Sequence, residues 1–340
     1  MELGHVMDIF RGDMVALIAT GAMLSSMASP GFGTPPAEGV ELRIRATPID
    51  ALGPEQGVMR RDPSDVIRVG NLYYVWYTKG LTGVPHGYDG TVWYATSPDG
   101  MEWTERGESV ARGPEGAWDE QSVFTPSILV ADGRYWLLYT AVPKPFTNVG
   151  NQVTKSAIGM AVSDSPDGPW TKLDTNPVLE TSGDPADFDS MRVDDACMIV
   201  RDGRYWLYYK GRQWDRTPRE TQLGVAIADH PQGPYVKHPA NPVVPAGHEV
   251  MTWPLGSGVV ALINHVGPAH LSRTLQYAPD GVSFRKIGDA RHVPAAAGFY
   301  RPEAFTDSGQ GDWPPWGIQI HGQQGFLPGL SRFDCEWSLP

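Results

Sequence analysis

Arg61-Asp62-Pro63-Ser64-Asp65-Val66-Ile67-Arg68-Val69-Gly70-Asn71-Leu72-Tyr73-Tyr74-Val75-Trp76-Tyr77-Thr78 is the stretch on which the reading of this chain turns. A polar residue precedes a short apolar run, a glycine turn follows, and an aromatic-rich run returns. That order predicts a β-hairpin with both arms half buried. The phrase recurs as Thr125-Pro126-Ser127-Ile128-Leu129-Val130-Ala131-Asp132-Gly133-Arg134-Tyr135-Trp136-Leu137-Leu138-Tyr139-Thr140. It recurs again from Asp195 through Asp202-Gly203 to Tyr208-Tyr209-Lys210.

A second marker follows each strand phrase: Ser97-Pro98-Asp99-Gly100, Ser165-Pro166-Asp167-Gly168, His230-Pro231-Gln232-Gly233 and Pro279-Asp280-Gly281. Proline presets φ at the start of such a turn and glycine admits positive φ at its end. An aromatic follows each time, as Trp103, Trp170, Tyr235 and Phe284. From one glycine to the next the steps are 68, 65 and 48 residues, too long for a solenoid repeat and suited to four-stranded blades with variable loops. Blades are expected near Asp62 to Gly107, Val123 to Leu173, Asp194 to Lys237 and His248 to Ile287, with Phe299 to Leu339 enough for a fifth. No amphipathic helical run of useful length follows residue 40. The expectation is an all-β, five-bladed β-propeller.

The 340 residues are 41% hydrophobic and 19% charged, as in a soluble globular chain with a sizeable core. A net charge of −12 disfavours nucleic acid and anionic membrane surfaces, and so excludes both as expected partners. Cys197 and Cys335 cannot build a disulfide framework, and Cys197, inside a strand phrase, reads as a buried free thiol. Met14 to Met23 is a short apolar run after Arg11, followed by a Pro/Gly-rich segment from Ser29 to Glu38. Residues 1–39 therefore read as a signal peptide with a linker, though Asp8 and Asp13 weaken its charge pattern, and residues 40–340 as one catalytic domain. Export to the periplasm or medium is the expectation if that leader is used, and a cytoplasmic protein otherwise.

Propellers bind ligands on the axis, where the innermost strands begin. Counted back from the first tyrosine of the returning strand, Asp62 lies 11 residues before Tyr73, Thr125 lies 10 before Tyr135 and Asp195 lies 10 before Tyr205. These positions are equivalent. The fourth repeat offers His248-Glu249 and the fifth Arg301-Pro302-Glu303. A single aspartate there, such as Asp65 or Asp194, is ordinarily a turn or strand cap. Carboxylates at Asp62, Asp195 and Glu249 converging on one axis instead suit glycosidic cleavage, where one group acts as base or nucleophile and another as acid. Asp65, Trp118, Gln121, Thr125, Asp194, Lys210 and Arg301 stand at or near blade entrances as candidate contacts to sugar hydroxyls or an anionic group. His86, His265 and His321 lack metal-ligand spacing, and no phosphate loop, serine elbow or paired-cysteine zinc motif is present.

The phrases Arg61-Asp62-Pro63-Ser64-Asp65, Asp119-Glu120-Gln121-Ser122-Val123-Phe124-Thr125-Pro126, Arg192-Val193-Asp194-Asp195-Ala196, Tyr209-Lys210-Gly211-Arg212 and Gly247-His248-Glu249-Val250 carry a resemblance. In this order, over residues 58 to 305, they resemble the five-bladed propeller glycosidases of families 43 and 32, and more finely glycoside hydrolase family 117. The resemblance implies an exo-acting, inverting α-1,3-(3,6-anhydro)-L-galactosidase that trims agar-derived oligosaccharides such as neoagarobiose. It implies Asp62 as general base, with Asp65 the alternative, and Asp195 as the carboxylate that orients substrate and tunes its neighbours. His248 would be the acid supported by Glu249, its imidazolium stabilised by the surrounding carboxylates. No cofactor is needed for such chemistry. A divalent cation near the axis would be structural, and its ligands are unknown. The resemblance leaves a homodimer open, but the N-terminal helical segment through which family members swap between protomers has no evident equivalent here. Loops at Leu81 to Asp89 and Pro143 to Asn151 would set the sugar accepted, leaving arabinofuranosidase, xylosidase or other galactosidase specificities, or sugar binding without catalysis, as alternatives.

Overall fold

The computed structural model describes residues 36–340 apart from 82, 85–87, 149–153, 265–267, 303–310 and 322–327. The apolar run at 14–23, His86, His265, Glu303 and parts of both specificity loops lie outside the described residues. Apart from two single-turn 3-10 segments, Asp50–Leu52 and Pro218–Glu220, the named elements of the described residues are all strands. No helix among the described residues is long and apolar enough to cross a membrane.

Each repeated phrase folds as the hairpin its sequence predicts. Ser122–Ala131 pairs antiparallel with Arg134–Val142, and Arg192–Arg201 with Arg204–Arg212. Their turns, Asp132-Gly133 and Asp202-Gly203, have φ of 53° and 70°, and 52° and 70°. Two successive positive φ values match the right-handed twist of the flanking strands, and Asp-Gly adopts them at least cost. The glycines of the second marker, Gly100, Gly168, Gly233 and Gly281, likewise have positive φ.

The hairpins are buried on both faces rather than half buried. Ser122–Ala131 has only one residue short of full burial, and residues 136–142 of the return strand are wholly covered. The reason is face-to-face packing on both sides. One cluster with Trp76, Ile128 and Tyr139 joins the first sheet to the second, another with Leu138, Met198 and Tyr209 joins the second to the third, and Ile199, Tyr208 and Ile263 join the third to the strands that follow. A cluster with Val75, Trp103 and Ile318 then joins the last strands back to the first sheet. An alternation of polar and apolar residues would leave one face wet; continuous apolar runs bury both.

Among the described residues the strands form four hydrogen-bonded sheets. Three are separate: Val58–Arg61, Leu72–Leu81, Thr91–Ser97 and Thr104–Val110 with Ile67–Val69; Ser122–Ala131, Arg134–Val142, Ala157–Ser163 and Thr171–Lys172 with Leu179–Glu180; and Arg192–Arg201, Arg204–Arg212, Gln222–Ala228 and Val236–Lys237. The fourth is a continuous path of eight strands, from Val250–Leu255 through Arg285–Ala290, then Val40–Pro48, and back through Gly329–Ser338 and Trp316–His321 to Gly298–Phe299. Val40–Pro48 is its hinge, parallel to Arg285–Ala290 over three residues and antiparallel to Gly329–Ser338 over eight. The N-terminal strand thus ties the two ends of the described chain together.

Candidate active site

The first strand of each hairpin is where the backbone departs from regularity. In the second and third sheets the ladder slips between Phe124 and Ser127 and between Asp194 and Cys197. In the first, the strand is interrupted between Arg61 and Ile67. At these places Asp62, Thr125 and Asp195 have φ of 49°, 46° and 50°, left-handed values that non-glycine residues adopt at a cost of roughly 1 kcal/mol or more. A bulge re-aims the side chain it carries. Here it turns all three toward one place.

Two pockets meet there. One, of about 590 Å³, is lined by Asp62 to Asp65, Thr125 to Ser127, Asp195 to Cys197, Glu249 to Thr252 and Ala296-Ala297. The other, of about 640 Å³, carries the charge: Arg61, Arg192, Lys210 and Arg212 line it together with Asp194 and His248. Asp62, Thr125, Asp195 and Glu249 line both.

Asp62 is clamped by its neighbour, with Arg61 Nε 2.6 Å from Oδ2 and Nη2 3.0 Å from Oδ1. Lys210 donates to Asp195 Oδ2 and stands 3.3 Å from Asp194 Oδ1. Burial, and then the charges of Asp194 and Asp62, push the Asp195 carboxyl up to about 7 against the pull of Lys210. Asp194 goes the other way: burial opposes its charge, but Lys210, Arg192 and Arg212 hold it below the ordinary range. Glu249 Oε2 accepts the Ala296 backbone N–H at 2.8 Å.

The expectation that carboxylates would stabilise a His248 imidazolium is corrected. The Lys210 charge, with burial and Arg61, pulls His248 down to about 3, so its ring is neutral. Its Nδ1 is buried and has no hydrogen-bond partner among the described residues.

Seven candidates named from sequence line the pockets beside Asp62: Asp65, Thr125, Asp194, Asp195, Lys210, His248 and Glu249. Asp65 lies only in the first, its oxygens taken by the Phe299 N–H at 2.8 Å and Arg301 Nη1 at 2.7 Å. Arg301 lines neither pocket and braces Asp65 against the Met198 carbonyl. Trp118 stacks on Tyr139 at 6.0 Å between sheets, and Gln121 donates to the Tyr88 carbonyl at 2.7 Å. Ala296, left-handed at φ 39°, and Ala297 line the first pocket, although no sequence phrase singles them out. Cys197 and Cys335 are free thiols, but Cys197 is half buried at the pocket wall rather than in the core. Arg61, Arg192 and Arg212 stand inside the quoted phrases and line the second pocket, but an arginine in a strand carries no local signal of the pocket it faces. Among the described residues no three His, Cys, Asp or Glu side chains are grouped to hold a metal.

Zg3597, a family 117 glycoside hydrolase from Zobellia galactanivorans, is 33% identical, with 86% of this chain and 90% of that one covered at a TM-score of 0.74. The chain belongs to glycoside hydrolase family 117. The family 117 assignment agrees with the model of glycosyl hydrolases family 43, which matches residues 57–196, the span that holds Asp62, Thr125 and Asp195. This family 117 chain also shares its fold with fructan 1-exohydrolase IIa from Cichorium intybus (14% identity, 84% of this chain and 57% of that one, TM-score 0.57). A family 32 β-fructofuranosidase from Bombyx mori is similar at 12% identity, 85% and 61% coverage and a TM-score of 0.57. No curated protein sequence matches. The chain is thus a glycoside hydrolase.

Proposed function

We propose that this glycoside hydrolase is exo-acting and inverting, and that its substrate is an α-1,3-linked 3,6-anhydro-L-galactoside of the neoagarobiose type. The observation that carries the reading is the meeting of Asp62 and Asp195, on equivalent bulges of different sheets, at the junction of two pockets. The eight-stranded sheet reads as two four-stranded blades joined edge to edge at Val40–Pro48, giving five around the axis, with that junction on it.

In this reading Asp62, held in one orientation by Arg61, takes a proton from the attacking water. Asp195 is the carboxyl that burial and the neighbouring aspartates push up to about 7, and in its protonated form it gives its proton to the leaving oxygen. Lys210 orients Asp195. Glu249 places negative charge beside the oxocarbenium-like transition state. Neutral His248 offers its unpartnered Nδ1 as an acceptor for a sugar hydroxyl.

The test is a panel of aryl glycosides and neoagaro-oligosaccharides, with the anomer first released from any cleaved substrate followed by NMR. Cleavage of neoagarobiose with inversion is expected. Retention would remove the water-activating role of Asp62, and activity confined to arabinosides or xylosides would replace the sugar assignment.

A further inference from the structure

Arg192 and Arg212 stand directly opposite each other on neighbouring strands. Like charges so opposed repel, and these two are only 3% and 4% exposed, so water screens little of the repulsion. Burial and the Arg192 charge both pull Arg212 below its ordinary value. A pair of this kind needs an anion.

The described residues supply little of one. The nearest carboxylate contact is Arg192 Nη2 to Asp194 Oδ2 at 3.6 Å, and Asp194 also answers to Lys210 at 3.3 Å. The remaining hydrogen-bond partners among the described residues are neutral. Arg192 donates to the Thr154 carbonyl and to the Tyr88 hydroxyl, each at 3.3 Å, and Arg212 donates to Asn148 Oδ1 at 3.1 Å. The Nε of each arginine is buried without a hydrogen bond among the described residues. Arg61, in the same pocket, differs: its Nε and Nη2 reach Asp62 as a bidentate pair. Rings of Tyr88 and Phe146 lie 5.5 and 5.9 Å from the Arg192 guanidinium and fix its plane. Both arginines line the pocket that also holds Asp195, His248 and Glu249.

We propose that Arg192 and Arg212 bind a negatively charged substituent, a carboxylate or a sulfate ester, on the sugar seated in this pocket. The inference rests on the glycosidase reading and refines its substrate: neoagarobiose is uncharged and would be cleaved without engaging the two arginines, so the sugar that fills this pocket is an oligosaccharide of that type bearing a sulfate ester or a carboxylate. A guanidinium fork matches paired oxygens of either group and holds them far better than it holds a hydroxyl. Long-range attraction does not contribute, since the chain as a whole carries −12. Recognition is by contact.

The experiment is calorimetric titration of the intact protein with sodium sulfate, D-glucuronate and, as neutral control, D-glucose. At least one anion is expected to bind about tenfold or more tightly than glucose. Sulfate alone assigns a sulfate ester, glucuronate alone a uronic acid, and both assign the shared anion site. Arg212→Gln should weaken anion binding by about tenfold. Asn148→Asp should do the same while keeping the melting temperature, because it sets an internal carboxylate 3.1 Å from Arg212. Anion binding no better than glucose, or binding that survives both variants unchanged, overturns the proposal. Asp62→Asn separates the two readings: it should keep the anion and lose hydrolysis. A parent that binds the anion but cleaves no glycoside leaves this site standing and removes the glycosidase mechanism. A parent that cleaves neoagarobiose while binding no anion does the reverse.

Discussion

Residues 122–142 and 192–212 are two copies of one hairpin, each bulged at the same point, each with one non-glycine residue in left-handed backbone there, and each turning on Asp-Gly. They differ in what the bulge carries. In one copy Thr125 Oγ1 lies 2.5 Å from Thr140 Oγ1 and the Thr125 N–H bonds Thr78 Oγ1 at 2.9 Å, so every group is neutral and satisfied. In the other, Asp195 takes the place of Thr125 and Lys210 that of Thr140, and the same geometry holds a carboxyl pushed up to about 7. Backbone strain at a bulge is therefore not itself the mark of chemistry in this molecule. It is a way of aiming a side chain at the pocket, and the residue aimed decides what chemistry is available there.

If that division holds, Asp195→Asn should lower turnover by about 10²- to 10⁴-fold on substrates with poor leaving groups, and much less on activated aryl glycosides that need no proton. Equal losses on both would make Asp195 an orienting group and return the acid role to His248 or Glu249. Lys210→Met should cost roughly tenfold in turnover, and it sharpens the contrast because it converts the charged copy toward the neutral one. Removing that cation should raise both the Asp195 carboxyl and His248, since Lys210 lowers each. An NMR titration of His248 whose midpoint does not rise in the variant would break the electrostatic account of the pocket.

The same carboxyl gives a pH-dependent difference in stability. The folded value of Asp195 lies above its ordinary 3.8, so between the two the folded state holds more protons and stability falls as pH rises through that window. Asp195→Asn removes this loss. Its melting temperature should gain on that of the parent by a few degrees between about pH 4 and about pH 8. The smallest effect is expected at the neutral copy: Thr125→Val should cost about 1 kcal/mol of stability and change turnover less than about twofold. A loss of turnover there as large as at Asp195 would end the distinction between the two hairpins.

Much of this contrast is legible in the sequence, because the hairpin phrase repeats at offsets of 11, 10 and 10 residues and brings Asp62, Thr125 and Asp195 to equivalent places by counting alone. What is not legible follows from distance along the chain. Val40–Pro48 meets Gly329–Ser338 across nearly the whole sequence, and no local pattern encodes that register. Ala296 holds Glu249 through its backbone N–H, and alanine has no side-chain signal of chemistry. The opposition of Arg192 and Arg212 depends on the bulge between Asp194 and Cys197, which shifts the pairing of everything before it. The state of His248 depends on Lys210 and Arg61, which come from two other strands.

The central claim is that Asp62 activates water in this pocket, and Asp62→Asn tests it most directly because it removes the base while nearly preserving shape. Turnover of neoagarobiose and its binding by calorimetry should be measured on the same preparation of parent and variant. The account predicts binding close to that of the parent with turnover reduced by about 10²-fold or more. Turnover retained at near the parent rate would contradict it.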